Sequence, residues 1–237
     1  NNLFRNLPVP TEIIFGYGSI SNVGNVVKKY GDKALIVCGR KSAKKYGHLK
    51  RVIEFLDKES IEVIIFDQIS PEPKSDEVNE GIILARINKV DVVIGLGGGS
   101  PIDAAKAIAV GIDSISIESI IGKTLSLNKN ALPIIAIPTT AGSGSEVTKG
   151  SIITDIKKKF KSGIRGNDLF PKSAIIDPDL TITCPTEVTA QTGFDTFTHV
   201  FEGYMARKSS VLTDRIAEEA LIIIQNYLPK SINNRLN

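Results

Sequence analysis

The stretch that decides the fold is residues 91–106, DVVIGLGGGSPIDAAK. It begins with an apolar run, passes through a cluster of glycines and ends in a segment with helical spacing and a proline near its first turn. A helix that starts directly after a strand directs backbone N–H groups and its positive dipole end at one point. Glycine lets a phosphate approach that point closely, because it has no Cβ. The sequence therefore predicts a diphosphate-binding turn, with the residues Gly97, Gly98, Gly99, Ser100, Pro101 and Asp103.

Apolar runs of strand length flank this stretch and alternate with amphipathic segments. The predicted strands are residues 34–38, 62–66, 91–96 and 134–137, and the predicted helices are roughly residues 19–30, 42–58, 75–88 and 101–110. Several of these helices are opened by a serine that we predict to be an N-cap. Strands that are apolar on both faces belong to a parallel sheet covered by helices on each side. The alternation predicts an α/β fold with a Rossmann-like parallel sheet.

A second loop, PTTAGSGSEVT at residues 138–148, also follows an apolar strand. Open α/β sheets bind ligands at the carboxyl ends of their strands, where this loop would lie. Its predicted ligand contacts are Thr139, Thr140, Ser143 and Thr148. The alternative for the glycine cluster is a tight turn that binds no ligand. The alternative for the loop 138–148 is that its hydroxyl groups only form hydrogen bonds with the loop's own backbone. Three consecutive glycines are costly for a turn alone, which favours the ligand.

The rest of the chain divides into an irregular part and a helical part. Residues 111–132 are predicted to be an irregular loop. Residues 148–177 are predicted to form a hairpin-like excursion, with β-prone pieces at 151–154 and 173–176 around a basic run at 157–161.

After Pro185 helical periodicity takes over, with an apolar stripe from Ile216 to Leu228. We predict an α/β domain over residues 1–180 and the beginning of an all-helical domain over residues 181–237. The helical part is short for a core of its own, so we expect its apolar stripe to be exposed.

Composition excludes several classes of protein. The net charge is +3, aromatic residues make up 6% of the chain and there is no Trp, so no nucleic-acid partner is expected. The longest apolar runs are far shorter than a membrane span needs, so no membrane association is expected. Cys38 and Cys184 are too few and too far apart for a disulfide framework, and the first residues do not resemble a signal peptide. A reducing, cytoplasmic setting is predicted.

Five motifs together resemble the iron-containing alcohol dehydrogenase family. They are GYGS at 16–19, GGGSPID at 97–103, PTTAGSGSE at 138–146, DPDL at 177–180 and TGFDTFTH at 192–199. The resemblance implies an N-terminal domain that binds a nicotinamide cofactor and a C-terminal helical domain, with a divalent metal in the cleft between them. Dehydroquinate synthases have the same two-domain architecture. The implied activity is the interconversion of an alcohol and an aldehyde or ketone by metal-assisted hydride transfer.

The resemblance places the first two metal ligands at Asp195 and His199. Their spacing also puts a carboxylate and an imidazole on one helix face, where both can reach one ion. The family's other two ligands are histidines, but this chain has only one other histidine, His48, which we expect on the surface. The expected ion is Fe(II), with Zn(II) as the alternative, and half a ligand set predicts weak metal binding by this chain alone.

Cofactor preference is predicted from the residues after the first predicted strand, Gly39, Arg40, Lys41 and Ser42. Many family members have an Asp there, which would repel a 2′-phosphate, whereas this loop supplies donors. The sequence therefore predicts NADP(H) over NAD(H), unless Arg40 and Lys41 are only solvated charges. Lys161 matches a family lysine that reaches the cofactor, and Leu180 matches a position that lines the cofactor cleft.

Three alternatives to this enzyme remain open at the level of sequence. The chain is also compatible with a glycerol dehydrogenase-like polyol oxidoreductase, a non-catalytic nucleotide-binding fragment or a structural remnant that only dimerises. The expected partners are a small alcohol or aldehyde and a second copy of the chain, which would dock through the apolar residues 13–15. No residue is assigned as general base.

Overall fold

The fold is built around a parallel sheet with a small separate hairpin. The computed structural model describes residues 9–127 and 130–233, to which all structural statements refer. The eight strands are β1 (Glu12–Phe15), β2 (Lys33–Gly39), β3 (Glu62–Ile69), β4 (Val92–Gly97), β5 (Ile134–Pro138), β6 (Gly150–Asp155), β7 (Phe160–Arg165) and β8 (Ser173–Ile176). Six of them form one sheet in the order β1-β8-β5-β4-β2-β3, in which every neighbouring pair is parallel. Strands β6 and β7 pair antiparallel as the hairpin.

Seven α-helices are described, five of them between the strands of the sheet. They are α1 (Val23–Lys28), α2 (Ser42–Lys45), α3 (His48–Lys58), α4 (Ser75–Asn88), α5 (Gly99–Val110), α6 (Thr186–Met205) and α7 (Val211–Asn233). The prediction of an α/β fold with a Rossmann-like parallel sheet is confirmed. The predicted helix over 42–58 is two helices, because Gly47 between them has φ +76° and ends the first. The serines that open α2 and α4 lie inside these helices, whose N-caps are Lys41 and Lys74.

The largest difference from the sequence prediction concerns the segment 148–177. Residues 173–176 do not belong to the hairpin; they form β8, which lies between β1 and β5 in the main sheet. This strand is almost entirely buried, as an interior strand with helices on both faces should be. The partner of β6 is β7, so the basic run 157–161 supplies both the turn and the first residues of a strand.

The core consists of two layers, one on each face of the sheet. Alternate residues of β2 point to opposite faces, Ala34 and Ile36 toward α1 and α3, and Leu35 and Val37 toward α4 and α5. The hairpin covers α5 from outside, where Ile153 packs into the same cluster. Helix α5 is therefore enclosed on both sides.

Helices α6 and α7 follow the α/β part and pack mainly against each other. No residue of α6 is buried, and α7 buries only Ala217. The apolar stripe of α7 is partly packed, but Ile216 and Tyr227 are exposed. Residues 111–132 are irregular apart from a short 3-10 helix, Ile117–Ser119, as far as they are described. None of the described helices is long and apolar enough to cross a membrane.

Candidate functional site

The glycine cluster forms the turn between β4 and α5 that the sequence predicts. Gly97 ends β4 with φ +143°, a backbone conformation that residues other than glycine rarely adopt. Gly98 is the N-cap of α5, and Gly99 is its first residue. Pro101, in the first helical turn, packs against Gly97, where a Cβ would lie 2.9 Å from its Cγ. The N-terminus of a 12-residue helix therefore opens at the carboxyl end of the sheet.

The hydroxyl-rich loop lies directly against this turn. Thr139 N donates to Gly97 O at 2.9 Å. A Cβ on Gly98 would lie 3.2 Å from Thr140 Oγ1, and one on Gly99 would lie 2.9 Å from Ser143 Oγ. The two loops predicted separately thus form one concave surface of backbone N–H groups and hydroxyls, which we call the cradle: Gly98, Gly99, Ser100, Thr140 and Ser143. Side chains on Gly98 and Gly99 would crowd Thr140 and Ser143, so the close approach of the two loops requires glycine at these positions.

Asp103 lies beneath the cradle rather than in it. One carboxylate oxygen accepts a hydrogen bond from Ser145 Oγ, and the other accepts from Ile152 N at 2.9 Å. Its carbonyl oxygen accepts from Ser151 Oγ at 2.7 Å. Burial raises the pKa of this carboxyl, while these hydrogen bonds oppose the rise. Both oxygens are therefore used to fasten the loop and β6 onto α5.

Lys106 fastens the same elements from within α5. Its side chain is fully buried, and Nζ donates to Thr148 O at 2.8 Å, to Gly150 O at 2.9 Å and to Thr148 Oγ1 at 3.3 Å. Burial lowers the pKa of Lys106 to about 8, and the neighbouring carboxylates of Asp103 and Glu146 oppose that shift. The predicted contact Thr148 is thus held in place by a lysine to which the sequence analysis gives no role. The sequence does contain a sign of this role, because Lys106 is the one charged residue in an otherwise apolar stretch of helix, residues 104–110.

The hairpin brings Lys161 to Glu72, a residue that contacts the cradle. Its Nζ donates to Glu72 Oε1 at 2.7 Å, and Glu72 N in turn donates to Ser100 Oγ at 3.3 Å. Lys161 is therefore connected to the first turn of α5 through Glu72. The sequence analysis did not identify Glu72, whose carboxylate already holds this ammonium group.

The loop after β2 lies at the same edge of the sheet. Arg40 is held in place, because its Nε donates to Gln68 O at 3.0 Å and its Nη2 donates to Glu77 Oε1 at 3.1 Å. Glu77 is buried and also accepts from Ser70 Oγ at 3.0 Å. Arg40 is thus not simply a solvated charge.

The other predicted residues of this loop differ in their surroundings. Gly39 ends β2, and Ser42 begins α2. Lys41 is exposed, and its side chain makes no hydrogen bond or ion pair within the described ranges, although its carbonyl oxygen accepts from Lys45 N at 2.9 Å. Lys44, one turn along, pairs with Asp67 at the end of β3. Lys41 is therefore the cation of this loop that a further phosphate group can reach without displacing a carboxylate.

Leu180 is not placed as the sequence predicted. Its side chain is 1% exposed and packs in the core beside α1 and α3, so only its backbone can line a cleft. Asp177 nearby is buried, and its carboxylate accepts from Gly18 N at 3.1 Å, Ile20 N at 3.1 Å and Asp179 N at 3.0 Å. The motifs at 16–19 and 177–180 therefore form one structural joint.

Asp195 and His199 lie one turn apart on α6. Asp195 Oδ2 and His199 Nδ1 are 3.8 Å apart, and both side chains are about half exposed, at 50% and 53%. A carboxylate and an imidazole suit a first-row divalent ion. However, the described residues contain no group of three or more His, Cys, Asp or Glu side chains that could hold a metal. The pair fits part of a metal site and does not complete one.

His48 is not the surface residue that the sequence predicts. It is 4% exposed, and its Nε2 lies 3.0 Å from Thr183 Oγ1. Burial lowers the pKa of this imidazole, with Arg51 adding to the effect. His48 therefore joins α3 to the segment before α6 and is not a third ligand.

A cavity of about 610 Å³ lies between the hydroxyl-rich loop and α6 and α7. Its walls include Tyr17, Thr140, Thr181, Thr192 and Tyr227. Its volume is in the usual range for small-molecule sites. Helix α6 closes against the loop here, because Thr196 Oγ1 lies 3.5 Å from Ala141 O. The cavity therefore adjoins both the cradle and the helix that carries Asp195 and His199.

Comparison with known proteins agrees with this geometry. A family model described as iron-containing alcohol dehydrogenase matches residues 10–178, and a model of the C-terminal part of Fe-containing alcohol dehydrogenases matches residues 189–237. The chain is 33% identical to an NAD-dependent methanol dehydrogenase of Bacillus methanolicus, over 97% of this chain and 60% of that protein. It is 35% identical to an NADPH-dependent butanol dehydrogenase of Clostridium saccharobutylicum, over 94% of this chain and 58% of that protein.

Solved structures show the same likeness. The crystal structure of NADH-dependent butanol dehydrogenase A from Thermotoga maritima superposes with a TM-score of 0.91 at 34% identity, covering 98% of this chain and 58% of that one. The chain thus spans about 60% of the length of its curated relatives. The family model alone covers well over half of the chain. The chain belongs to the iron-containing alcohol dehydrogenase family.

Proposed function

We propose that this chain is the cofactor-binding part of an NAD(P)-dependent oxidoreductase that interconverts an alcohol and an aldehyde or ketone. The observation that carries the proposal is the cradle, which sets glycines and hydroxyls at a helix N-terminus. Backbone N–H groups and the α5 dipole would hold the diphosphate. The nicotinamide would extend into the adjoining cavity, beside a small alcohol or aldehyde. Calorimetric titration with NADPH and NADH tests the proposal.

We further propose that Thr139, Thr140, Ser143 and Lys161 contact the cofactor, and that Thr148 does so from the position that Lys106 fixes. Asp103 then acts as a positioning residue, since both of its carboxylate oxygens have partners within the protein. For Leu180 the contact would come from the backbone alone. Because the proposed cofactor contacts end at Leu180, we propose that the domain boundary lies between residues 180 and 181, shortly before α6 begins at Thr186.

The metal in this proposal is held by Asp195 and His199, as Fe(II) or alternatively Zn(II). Two ligands leave most of the coordination sphere to water, so we expect weak binding by this chain alone. The enzyme reaction therefore needs ligands beyond this pair. If the chain binds cofactor without any metal-dependent turnover, it acts as a nucleotide-binding unit as it stands.

We propose that the cofactor is NADP(H) in preference to NAD(H), because the loop after β2 presents Arg40 and Lys41 and has no Asp. Gly39→Asp tests this directly. A Cβ at Gly39 would have its nearest neighbour, Ile69 O, at 3.6 Å, so a side chain fits. The new carboxylate would repel the 2′-phosphate and accept from a ribose hydroxyl. We expect at least about a tenfold loss of NADPH affinity with NADH binding kept or improved.

Gly39→Ala is the matched control for this variant, since it adds the Cβ without the charge. It should leave the ratio of the two affinities close to that of the unmodified chain. Equal effects of Gly39→Asp on both cofactors would contradict the proposed preference, because the 2′-phosphate is the only group that distinguishes them.

We also propose a homodimer formed through β1, in a reducing compartment such as the cytoplasm. Among the residues that the structure describes, strand β1 pairs on one side only, with β8, and its residues Ile13 and Phe15 are exposed. An edge strand with apolar side chains favours pairing with a second copy. Cys38 and Cys184 are free and buried, as expected where thiols stay reduced. A monomer in sedimentation at working concentration would contradict the dimer.

A further inference from the structure

Glu72 lies next to Ser100 of the cradle, and its carboxylate binds the exposed Lys161. Glu72 lies in the turn after β3 and has φ +58°, which is uncommon for a residue other than glycine. Two hydrogen bonds fix this turn. Glu72 N donates to Ser100 Oγ at 3.3 Å, and the carbonyl of buried Pro73 accepts from Thr154 N at 3.0 Å. The backbone of Glu72 is therefore held beside the first turn of α5.

The Glu72 carboxylate forms an ion pair with Lys161 Nζ at 2.7 Å. The hydrogen bond from Lys161 and the charge of its ammonium group lower the pKa of Glu72, so the carboxylate is ionised at neutral pH. Both side chains are at least half exposed. Exposed pairs contribute little to stability, so this pair opens at small cost when a stronger anion arrives.

The other charged groups near the cradle have different partners. Lys106 is buried and bound to the oxygens of Thr148 and Gly150. Arg40 is bound to Glu77. Lys161 is exposed, and its described partner is Glu72, the residue whose backbone N–H donates to Ser100 Oγ. A diphosphate in the cradle must either displace this carboxylate from Lys161 or bind close to a like charge.

We propose that Glu72 limits the affinity of the cradle by competing with the cofactor's diphosphate for Lys161. This inference rests on the proposed function, because it takes the cradle as the diphosphate site. It makes Glu72 a determinant of affinity that does not distinguish the two cofactors. The 2′-phosphate, in contrast, would lie at the loop after β2.

Glu72→Gln tests the proposal by calorimetric titration of the full chain with NADPH, NADH and ADP. Glutamine keeps the shape and removes the charge. We expect all three ligands to bind about two- to fivefold more tightly, the size expected when an exposed ion pair no longer has to open before the ligand binds. Glu62→Gln is the matched control. Glu62 is also exposed and pairs with Lys33, at 2.8 Å, but it lies at the opposite end of β3. It should change none of the affinities.

A second variant shows whether the effect passes through Lys161. Lys161→Gln should weaken binding, and adding Glu72→Gln to it should give much less gain than in the unmodified chain. An unchanged or weaker affinity of the Glu72→Gln variant would overturn the competition. A full gain in the Lys161→Gln background would do the same. If the unmodified chain and all variants bound none of the ligands, the cradle itself would not be a cofactor site. That result would contradict the proposed function, whereas the results above would contradict only the role of Glu72.

Discussion

Replacing Gly99 with valine is expected to lower the affinity for both cofactors by about 10- to 100-fold. A Cβ at this position would lie 2.9 Å from Ser143 Oγ and 3.0 Å from Ser143 Cβ. A branched side chain would therefore separate the hydroxyl-rich loop from the N-terminus of α5 and fill the space for the diphosphate. Misfits of this kind typically cost about 1–3 kcal/mol, which corresponds to that range of affinity. Calorimetric titration with NADPH and NADH measures the change.

Gly203→Val is the control for the general cost of valine at a helical glycine. A Cβ at Gly203, on α6, would have nothing within 4 Å. Both variants must also retain the circular dichroism spectrum of the unmodified chain. If the Gly99→Val variant bound cofactor with unchanged affinity, the diphosphate would not lie in the cradle.

Asp177→Ala is expected to cause the largest loss of stability, about 3–5 kcal/mol in the free energy of unfolding. The buried carboxylate accepts from three backbone N–H groups, those of Gly18, Ile20 and Asp179. Its removal leaves these donors without their acceptor, and hydrogen bonds to a charged group contribute about 1.5–3 kcal/mol each. The expected loss is smaller than the sum of three such bonds, because Gly18 and Asp179 are only half-buried and their N–H groups can bind water instead. Urea unfolding followed by circular dichroism measures the difference.

Two further variants sharpen the second experiment. Asp177→Asn keeps one acceptor oxygen and should recover part of the loss. Asp179→Ala removes a partly exposed carboxylate two residues away but keeps the backbone donor, and it should change the free energy of unfolding by less than about 1 kcal/mol. Equal effects of the two alanine variants would show that the joint between residues 16–19 and 177–180 does not depend on Asp177.

The features that the sequence predicted correctly are encoded within short segments. Residues 91–106 contain their own strand, turn and helix, so β4, the glycine turn and α5 follow from local pattern. The hydroxyl-rich loop follows a strand in the same way. Its contact with the turn is not predicted, because that contact depends on β4 and β5 being neighbours in the sheet.

The features that the sequence did not predict depend on contacts between distant residues. The composition of residues 173–176, Ser-Ala-Ile-Ile, suits a hairpin strand and an interior strand equally well. Local sequence does not encode the pairing partners, so it does not predict that this segment lies between β1 and β5 as β8. His48 is buried by Thr183, which is 135 residues away in the chain. Lys161 meets Glu72 across 89 residues.

Leu180 shows a different limit, because matching a family position does not say which part of a residue takes part. Its side chain is buried in the core, so any contact with a cofactor would have to come from its backbone. Lys106, in contrast, is recognisable in the sequence as the one charged residue of the otherwise apolar stretch 104–110. Its role as the anchor of Thr148 required the position of β6 on α5.

The central claim is that this chain carries a complete nicotinamide-cofactor site and only part of a metal site. The most direct measurement is calorimetric titration of the chain with NADPH and NADH, each with and without Fe(II) or Zn(II). We expect both cofactors to bind, NADPH more tightly by about tenfold, with affinities that the metal does not change. Failure of both cofactors to bind a folded chain would contradict the account.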